Sequence, residues 1–267
     1  MTTKTEKPTS GSSASHKGGT LIAVASGKGG VGKTWFSITL CHALSRKGKK
    51  VLLFDGDLGL ANVDVQLGLM AKRDLNDVIE GNLGMERVIE HYADGGFDVV
   101  AGRSGHGSLS TIPLPKLNEI VQQLRGLLPK YDAIVIDLGA GIDRTVRFMA
   151  AAADISLVVT NDEPTALTDA YAFIKVSHQA GHSDNIHVIV NMTASEKEGQ
   201  ATYATLLKAC KNFLKISPPL MGLIRQDKRV REAIRAQTLF LTRSPNCETA
   251  EDIEKIADNI GQSVLKS

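Results

Sequence analysis

Cysteine is scarce. Cys41, Cys210 and Cys247 are the only three in 267 residues, and no two lie close together. That spacing excludes a disulfide framework and a CxxC metal site, and it fits a reducing, cytoplasmic setting. Excess charge of one sign is missing too. The 31 lysines and arginines against 29 acids give a formal net charge of +2, so there is no global case for nucleic-acid binding. No apolar stretch is long enough to span a bilayer, and the N-terminus has no apolar secretion core. No internal repeat or clean linker interrupts residues 20–267, and 42% hydrophobic residues suffice for one core, so one domain is expected there. Met1 to Gly19 is rich in Ser, Thr, Gly and Lys, nearly free of large apolar residues, and expected to be a disordered tail.

What the chain does have is concentrated in Ser26-Gly27-Lys28-Gly29-Gly30-Val31-Gly32-Lys33-Thr34. Gly27 to Thr34 matches the phosphate-loop pattern of Gly, four residues, then Gly-Lys-Thr. Apolar Leu21 to Ala25 reads as a strand before it, and Trp35 to Ser45 as a helix after it. Glycines at 27, 29, 30 and 32 let backbone N–H groups, Val31 included, turn onto a polyanion without a Cβ clash. The helix N-terminus near Gly32 adds the positive end of its dipole. Lys33 supplies charge to the β- and γ-phosphates, and the Thr34 hydroxyl is a Mg²⁺ ligand. ATP and Mg²⁺ are the cofactors expected from this loop. Lys28 is a second cation that the ordinary loop does not need. It would repel Lys33 unless anionic charge lies between them. Either it is a solvated lysine at a loop edge, or it reaches a phosphate in its own subunit or across a dimer interface.

Apolar runs alternate with amphipathic segments. The strand candidates are Leu21 to Ser26, Lys50 to Asp55, Phe97 to Ala101, Ala133 to Asp137, Ile155 to Thr160, Ile186 to Asn191 and Leu220 to Ile224. Lys116 to Leu127, Thr165 to Gln179 and Ala201 to Leu214 read as helices. Runs such as Val51-Leu52-Leu53-Phe54 imply strands buried on both faces. The expected fold is α/β: one doubly wound, mostly parallel sheet with helices on both faces. Ligands in such sheets bind at the carboxyl ends of strands. Asp55 and Asp57 follow one strand and Asp137 ends another, which suggests Mg²⁺ positioning, directly or through water. Asn191 ends a third, either as a strand-end cap or as an amide that reads an adenine edge.

The loop with Lys28 near its start resembles the deviant Walker A box of the MinD/ParA ATPases, and the likeness covers about Thr20 to Ser267. The resemblance implies that Lys28 contacts the partner's nucleotide in an ATP-dependent sandwich dimer. It implies that Asp57, in Phe54-Asp55-Gly56-Asp57-Leu58-Gly59-Leu60-Ala61-Asn62-Val63-Asp64-Val65, orients the attacking water. It implies that Gly139, in Asp137-Leu138-Gly139-Ala140-Gly141-Ile142, approaches the γ-phosphate through its N–H. It assigns Asn191 to the base with Asp227 beside it, although Arg225 stands where that family has proline.

Within that family the chain is similar to the FlhG (FleN) branch, which controls flagellar number and placement. The stretches that carry this are 55–64, Leu75-Asn76-Asp77-Val78-Ile79, 137–142 and Glu163-Pro164-Thr165-Ala166-Leu167-Thr168-Asp169-Ala170-Tyr171. This implies a slow, partner-stimulated ATPase, with a flagellar regulator or an SRP-type GTPase as partner and a peripheral position at the inner face of the plasma membrane. The last segment, Glu248 to Lys266, has amphipathic spacing but five acids against two lysines, the wrong sign for an anionic leaflet. It is expected to dock on the core, leaving any membrane association weak. A ParA-like alternative rests on Lys228, Arg231 and Arg235 on one helical face beside Arg225, Arg229 and Arg243, which would bind DNA nonspecifically. A metal-cluster protein, the third class, needs closely placed cysteines that this chain does not offer.

Overall fold

Uncharged runs such as Val51 to Phe54 can sit only where both faces are covered, and they form the middle of one sheet. The strands are β1 (Thr20–Ser26), β2 (Val51–Gly56), β3 (Glu90–Tyr92), β4 (Phe97–Val100), β5 (Ala133–Ala140), β6 (Ile155–Thr160), β7 (Ile186–Thr193) and β8 (Leu220–Arg225). They lie in the order β3-β4-β2-β5-β1-β6-β7-β8. Every pairing is parallel except β3 with β4. The computed structural model describes residues 18–57, 59, 61–71, 73–102 and 112–265. Most of the 1–19 tail, Leu58 and Leu60 of the 54–65 stretch, and Lys266 lie outside the described residues.

Strand alternation splits the core in two. Ile22 and Val24 of β1 face a cluster with α1 (Lys33–Arg46), while Leu21, Ala23 and Ala25 face the opposite one. Two short helices, α2 (Val63–Leu67) and α3 (Leu75–Ile79), follow β2. The second cluster holds α4 (Leu114–Leu127), α5 (Arg144–Ala151), α6 (Pro164–Gln179) and α7 (Glu196–Ala209). Right-handed crossovers explain the division. The step from β1 to β2 runs one way along the sheet, and the steps from β4 through β8 run the other way. After β8 come α8 (Lys228–Arg235), α9 (Phe240–Arg243) and α10 (Glu248–Ser263), back on the α1 face.

Two expectations shift in detail. Helix α7 starts at Glu196, ahead of Ala201, because the Ser195 hydroxyl accepts from the Glu198 N–H at 3.2 Å and caps it. Strand β3 was not foreseen, since Glu90-His91-Tyr92 has no apolar run.

Helix α10 docks on the core as expected. Ile253, Ile256, Ala257 and Ile260 are buried. Its acids meet bases of the same chain: Glu254 and Asp258 each lie 2.8 Å from Lys47. Asp252 takes Arg225 in a two-pronged pair, with both contacts at 2.8 Å. Helix α10 also holds the outer margin of β8. Asn259 donates to the Met221 carbonyl, Thr249 donates to the Arg225 carbonyl, and the Arg225 N–H donates to Asp252.

Candidate nucleotide site

The loop 27–32 leaves β1, at the centre of the sheet, and runs into α1. Gly30 (φ 84°) and Gly32 (φ 85°) are left-handed, which glycine adopts without strain. Gly32 is also pressed from outside: a Cβ there would stand 2.4 Å from Asn191 Nδ2. Gly27 has no room for a side chain either, because a Cβ would lie 2.2 Å from the Asp169 backbone of α6. The loop is therefore built against both β7 and α6. It floors a cavity of about 900 Å³. Lys28, Gly29, Gly30, Val31, Gly32, Lys33 and Thr34 line it, with Asp57, Asn191 and Asp227 across from them. Of the nucleotide-site residues singled out from sequence, Gly27, Asp55, Asp137 and Gly139 are not part of the lining.

Asp55 and Asp137 are register partners on adjacent strands. Asp137 accepts from Ser37 at 2.9 Å and lies 3.5 Å from the Lys33 ammonium. Burial pushes its carboxyl up, while Lys33, Thr34 and Ser37 oppose the shift. Asp55 is completely buried and accepts the N–H groups of Asp57 (3.2 Å), Asn62 (3.1 Å) and Val63 (3.1 Å). Burial, reinforced by the Asp137 charge, raises it to about 7. Two carboxyls side by side, both pushed toward their neutral forms, make a site that a divalent cation would relieve. The oxygen donors Thr34, Asp55 and Asp137 are the hard ligands that suit Mg²⁺, and the glycine cradle suits a polyphosphate, so these residues fit Mg-ATP. Gly139 keeps β5 thin beside Asp57, where a Cβ would come 3.4 Å from Asp57 Oδ1.

Asn191 donates to the Val31 carbonyl at 2.8 Å and accepts from the Met192 N–H at 2.9 Å, where Met192 is left-handed (φ 58°). Its amide thus ties β7 to the phosphate loop at the cavity wall. Asp227 caps α8 by accepting from the Arg229 N–H and binds the Arg229 guanidinium at 2.6 Å. Arg229 holds its carboxyl below the usual range. Arg225, at the proline position, points its guanidinium to Asp252 and Glu248 of α10. The basic cluster is accordingly smaller than its sequence suggests. Arg225 and Arg229 are paired, while Lys228, Arg231, Arg235 and Arg243 are exposed with no ion pair among the described residues.

Lys28 is neither free in solvent nor directed at Lys33. Its ammonium contacts Glu163 at 2.6 Å and Thr165 at 2.9 Å, at the start of α6. Sequence reasoning marked this 163–171 stretch as a family feature without connecting it to Lys28. It also missed Ser37, which is one helical turn beyond Lys33, and Gln237, whose side chain donates to the Val65 carbonyl at 2.8 Å and joins the end of α8 to α2. Trp35 packs edge-on against Phe240 of α9, with ring centroids 5.4 Å apart.

Comparison with known proteins agrees with this geometry. A family model described as the CobQ/CobB/MinD/ParA nucleotide binding domain matches residues 22–240. The chain is 38% identical to the antiactivator FleN of Pseudomonas aeruginosa, over 90% of this chain and 85% of that one. It is 36% identical to the flagellum site-determining protein YlxH of Helicobacter pylori, over 91% and 82%. The septum site-determining protein MinD of Pyrococcus horikoshii, solved with Mg-ADP, superposes with a TM-score of 0.78 at 27% identity, covering 93% of this chain and 99% of that one. The chain belongs to the CobQ/CobB/MinD/ParA nucleotide-binding domain family and is an ATPase of the MinD/ParA type, with ATP and Mg²⁺ as its cofactors.

Proposed function

We propose that this ATPase is an ATP-dependent dimerisation switch that regulates flagellar assembly in the manner of FlhG, with its ATPase domain at 20–267. In this reading Gly27 to Thr34 and Gly139 hold the phosphates, and Asn191 and Asp227 hold the base. Thr34, Asp55 and Asp137 position Mg²⁺, the carboxylates directly or through water. Mg²⁺ supplies charge neutralisation at the phosphates. Asp57 orients the attacking water, and Lys33 and Lys28 meet the developing charge. ATP closes two copies face to face, and hydrolysis reopens them. Turnover is slow and is raised by a partner, a flagellar regulator or an SRP-type GTPase. The protein works in the cytoplasm with weak contact to the inner face of the plasma membrane. The names of the FleN and YlxH relatives support the flagellar role.

The observation that carries the switch is Lys28 itself. It lies at the rim of the cavity, tethered by a carboxylate that is 55% exposed, a contact that costs little to exchange. The test is light scattering with ADP and with a non-hydrolysable ATP analogue, on wild type and Lys28→Ala. An analogue-specific dimer that the variant cannot form is expected. A monomer under both nucleotides overturns the switch.

A second reading keeps one observation in its favour: Lys228, Arg231, Arg235 and Arg243 are exposed, with no ion pair among the described residues. It makes the protein a ParA-like positioning ATPase on the nucleoid. ATP-dependent DNA binding with a steep salt dependence would support it.

A further inference from the structure

Two walls of the nucleotide cavity come from helices far apart in sequence. Asn62 and Gln66 line it from α2, and Val230, Arg231 and Ile234 line it from α8. The two helices are joined at Gln237, two residues past the end of α8. Its backbone N–H donates to the Ile234 carbonyl at 3.1 Å, and its side-chain amide donates to the Val65 carbonyl at 2.8 Å. Val65 belongs to a five-residue helix whose last carbonyls lack helical partners, and the Gly68 N–H reaches the same oxygen only at 3.4 Å. Gln237 is left-handed (φ 49°), a conformation that glycine takes without strain and that other residues rarely adopt. Strain of this kind persists where a function holds it, and here the side chain is what is used. Gly68 (φ 64°), at the end of α2, leaves room for it: a Cβ there would lie 3.1 Å from Gln237 Oε1. The other end of α2 is held by Asp55. One oxygen of that carboxyl takes the Asp57 N–H, and the other takes the N–H groups of Asn62 and Val63. Asp57 and the start of α2 therefore hang from a single group, which is a pivot for so short a helix.

We propose that Gln237 is a positioning residue for ATP hydrolysis. By fastening the far end of α2 to α8 it removes the pivot and fixes the angle at which Asn62, Gln66 and Asp57 face the nucleotide. Gln237 is not part of the cavity lining, so it acts through α2 and not on the substrate. Binding draws on the phosphate loop, Asn191 and Asp227, which this tie does not hold. Hydrolysis draws on Asp57, which it does. The tie therefore serves turnover and leaves affinity alone. The proposal rests on the reading that Asp57 orients the attacking water, and adds what keeps Asp57 in place.

Steady-state hydrolysis of Mg-ATP by the full chain tests it, alongside equilibrium titration with Mg-ADP. Gln237→Met keeps the length of the side chain and removes the donor, while Gln237→Lys keeps a donor at about the same reach. In Gln237→Met, kcat should fall about fivefold, the equilibrium worth of one such hydrogen bond. KM and the Mg-ADP affinity should stay within about twofold of wild type, and light scattering with the ATP analogue should match wild type. Gln237→Lys should recover most of the lost turnover. Wild-type kcat in Gln237→Met overturns the proposal. So does a fall that Gln237→Lys shares in full, because the shape of the side chain and not its donor would then matter. A matching loss of Mg-ADP affinity overturns it too, since the tie would then hold the site as a whole. Asp57→Ala separates this proposal from the reading beneath it. If Asp57→Ala hydrolyses ATP normally, the role of Asp57 fails and the proposal with it. If Asp57→Ala is inactive while Gln237→Met turns over like wild type, only the role of Gln237 fails.

Discussion

Asp55 and Asp137 sit opposite each other in register on β2 and β5, and their burial carries a pH signature. Asp55 is raised from 3.8 to about 7, because burial and the Asp137 charge penalise its anion. A carboxyl raised in the fold stabilises most fully below its unfolded value, and that contribution is lost as pH rises through the folded one. Without Mg²⁺ and nucleotide, the contribution of this carboxyl should therefore fall away as pH rises from ~4 to ~7 and be gone by pH ~8. Asp55→Asn should flatten that slope and raise the melting temperature at the alkaline end. Parallel melting-temperature curves for the two proteins would refute the assignment. His42, buried and lowered to about 4, acts in the opposite sense, but only below its unfolded value of 6.5. A second expectation concerns Asp57. Asp57→Ala should keep Mg-ATP binding while hydrolysis falls by about a hundredfold or more, read in a phosphate-release assay. Normal turnover would remove Asp57 from the chemistry. Residue identity made these carboxylates visible in the sequence, since three acids at strand ends beyond a phosphate loop are hard to explain otherwise. Their partners were not visible. Lys28 meets Glu163 only because β1 and β6 lie side by side.

Among whole elements, the phosphate loop owes its shape to its neighbours as much as to its own glycines. Gly27→Ala places a Cβ 2.2 Å from the backbone of α6, which cannot yield as a side chain tip could. Loop or helix must move, and nucleotide affinity should fall by at least about tenfold in an equilibrium titration, since a misplaced cradle loses several N–H contacts together. Unchanged affinity would mean that α6 does not set the loop. The parallel strands were legible because they are uncharged and apolar throughout, as in Ala133 to Ile136. Elements with mixed composition were not. Helix α8 was seen only as a basic face, and β3 not at all. The π turn after α7 breaks a spacing that reads from sequence as unbroken helix through Leu214.

Taken as one body, the chain uses its last helix as a structural member of the core. Ile253, Ile256 and Ile260 are buried in the α1-side cluster. Burying each isoleucine is worth about 2 kcal/mol, against a typical total stability of about 5–15 kcal/mol. A chain ended before Glu248 should lose its cooperative thermal transition in calorimetry. A sharp transition near the wild-type temperature would show that α10 is dispensable. The acidic composition of this segment already pointed inward, and its pairing with Lys47 and Arg225 gives the reason. The margins of the sheet add one more consequence. One ends in a three-residue antiparallel strand, and the other has its outward carbonyls and an N–H taken by Asn259, Thr249 and Asp252. Among the described residues, neither margin offers a long bare edge that another chain could extend. If copies meet and part across their nucleotide faces as proposed, such margins would keep each encounter from growing strand to strand into irreversible fibres.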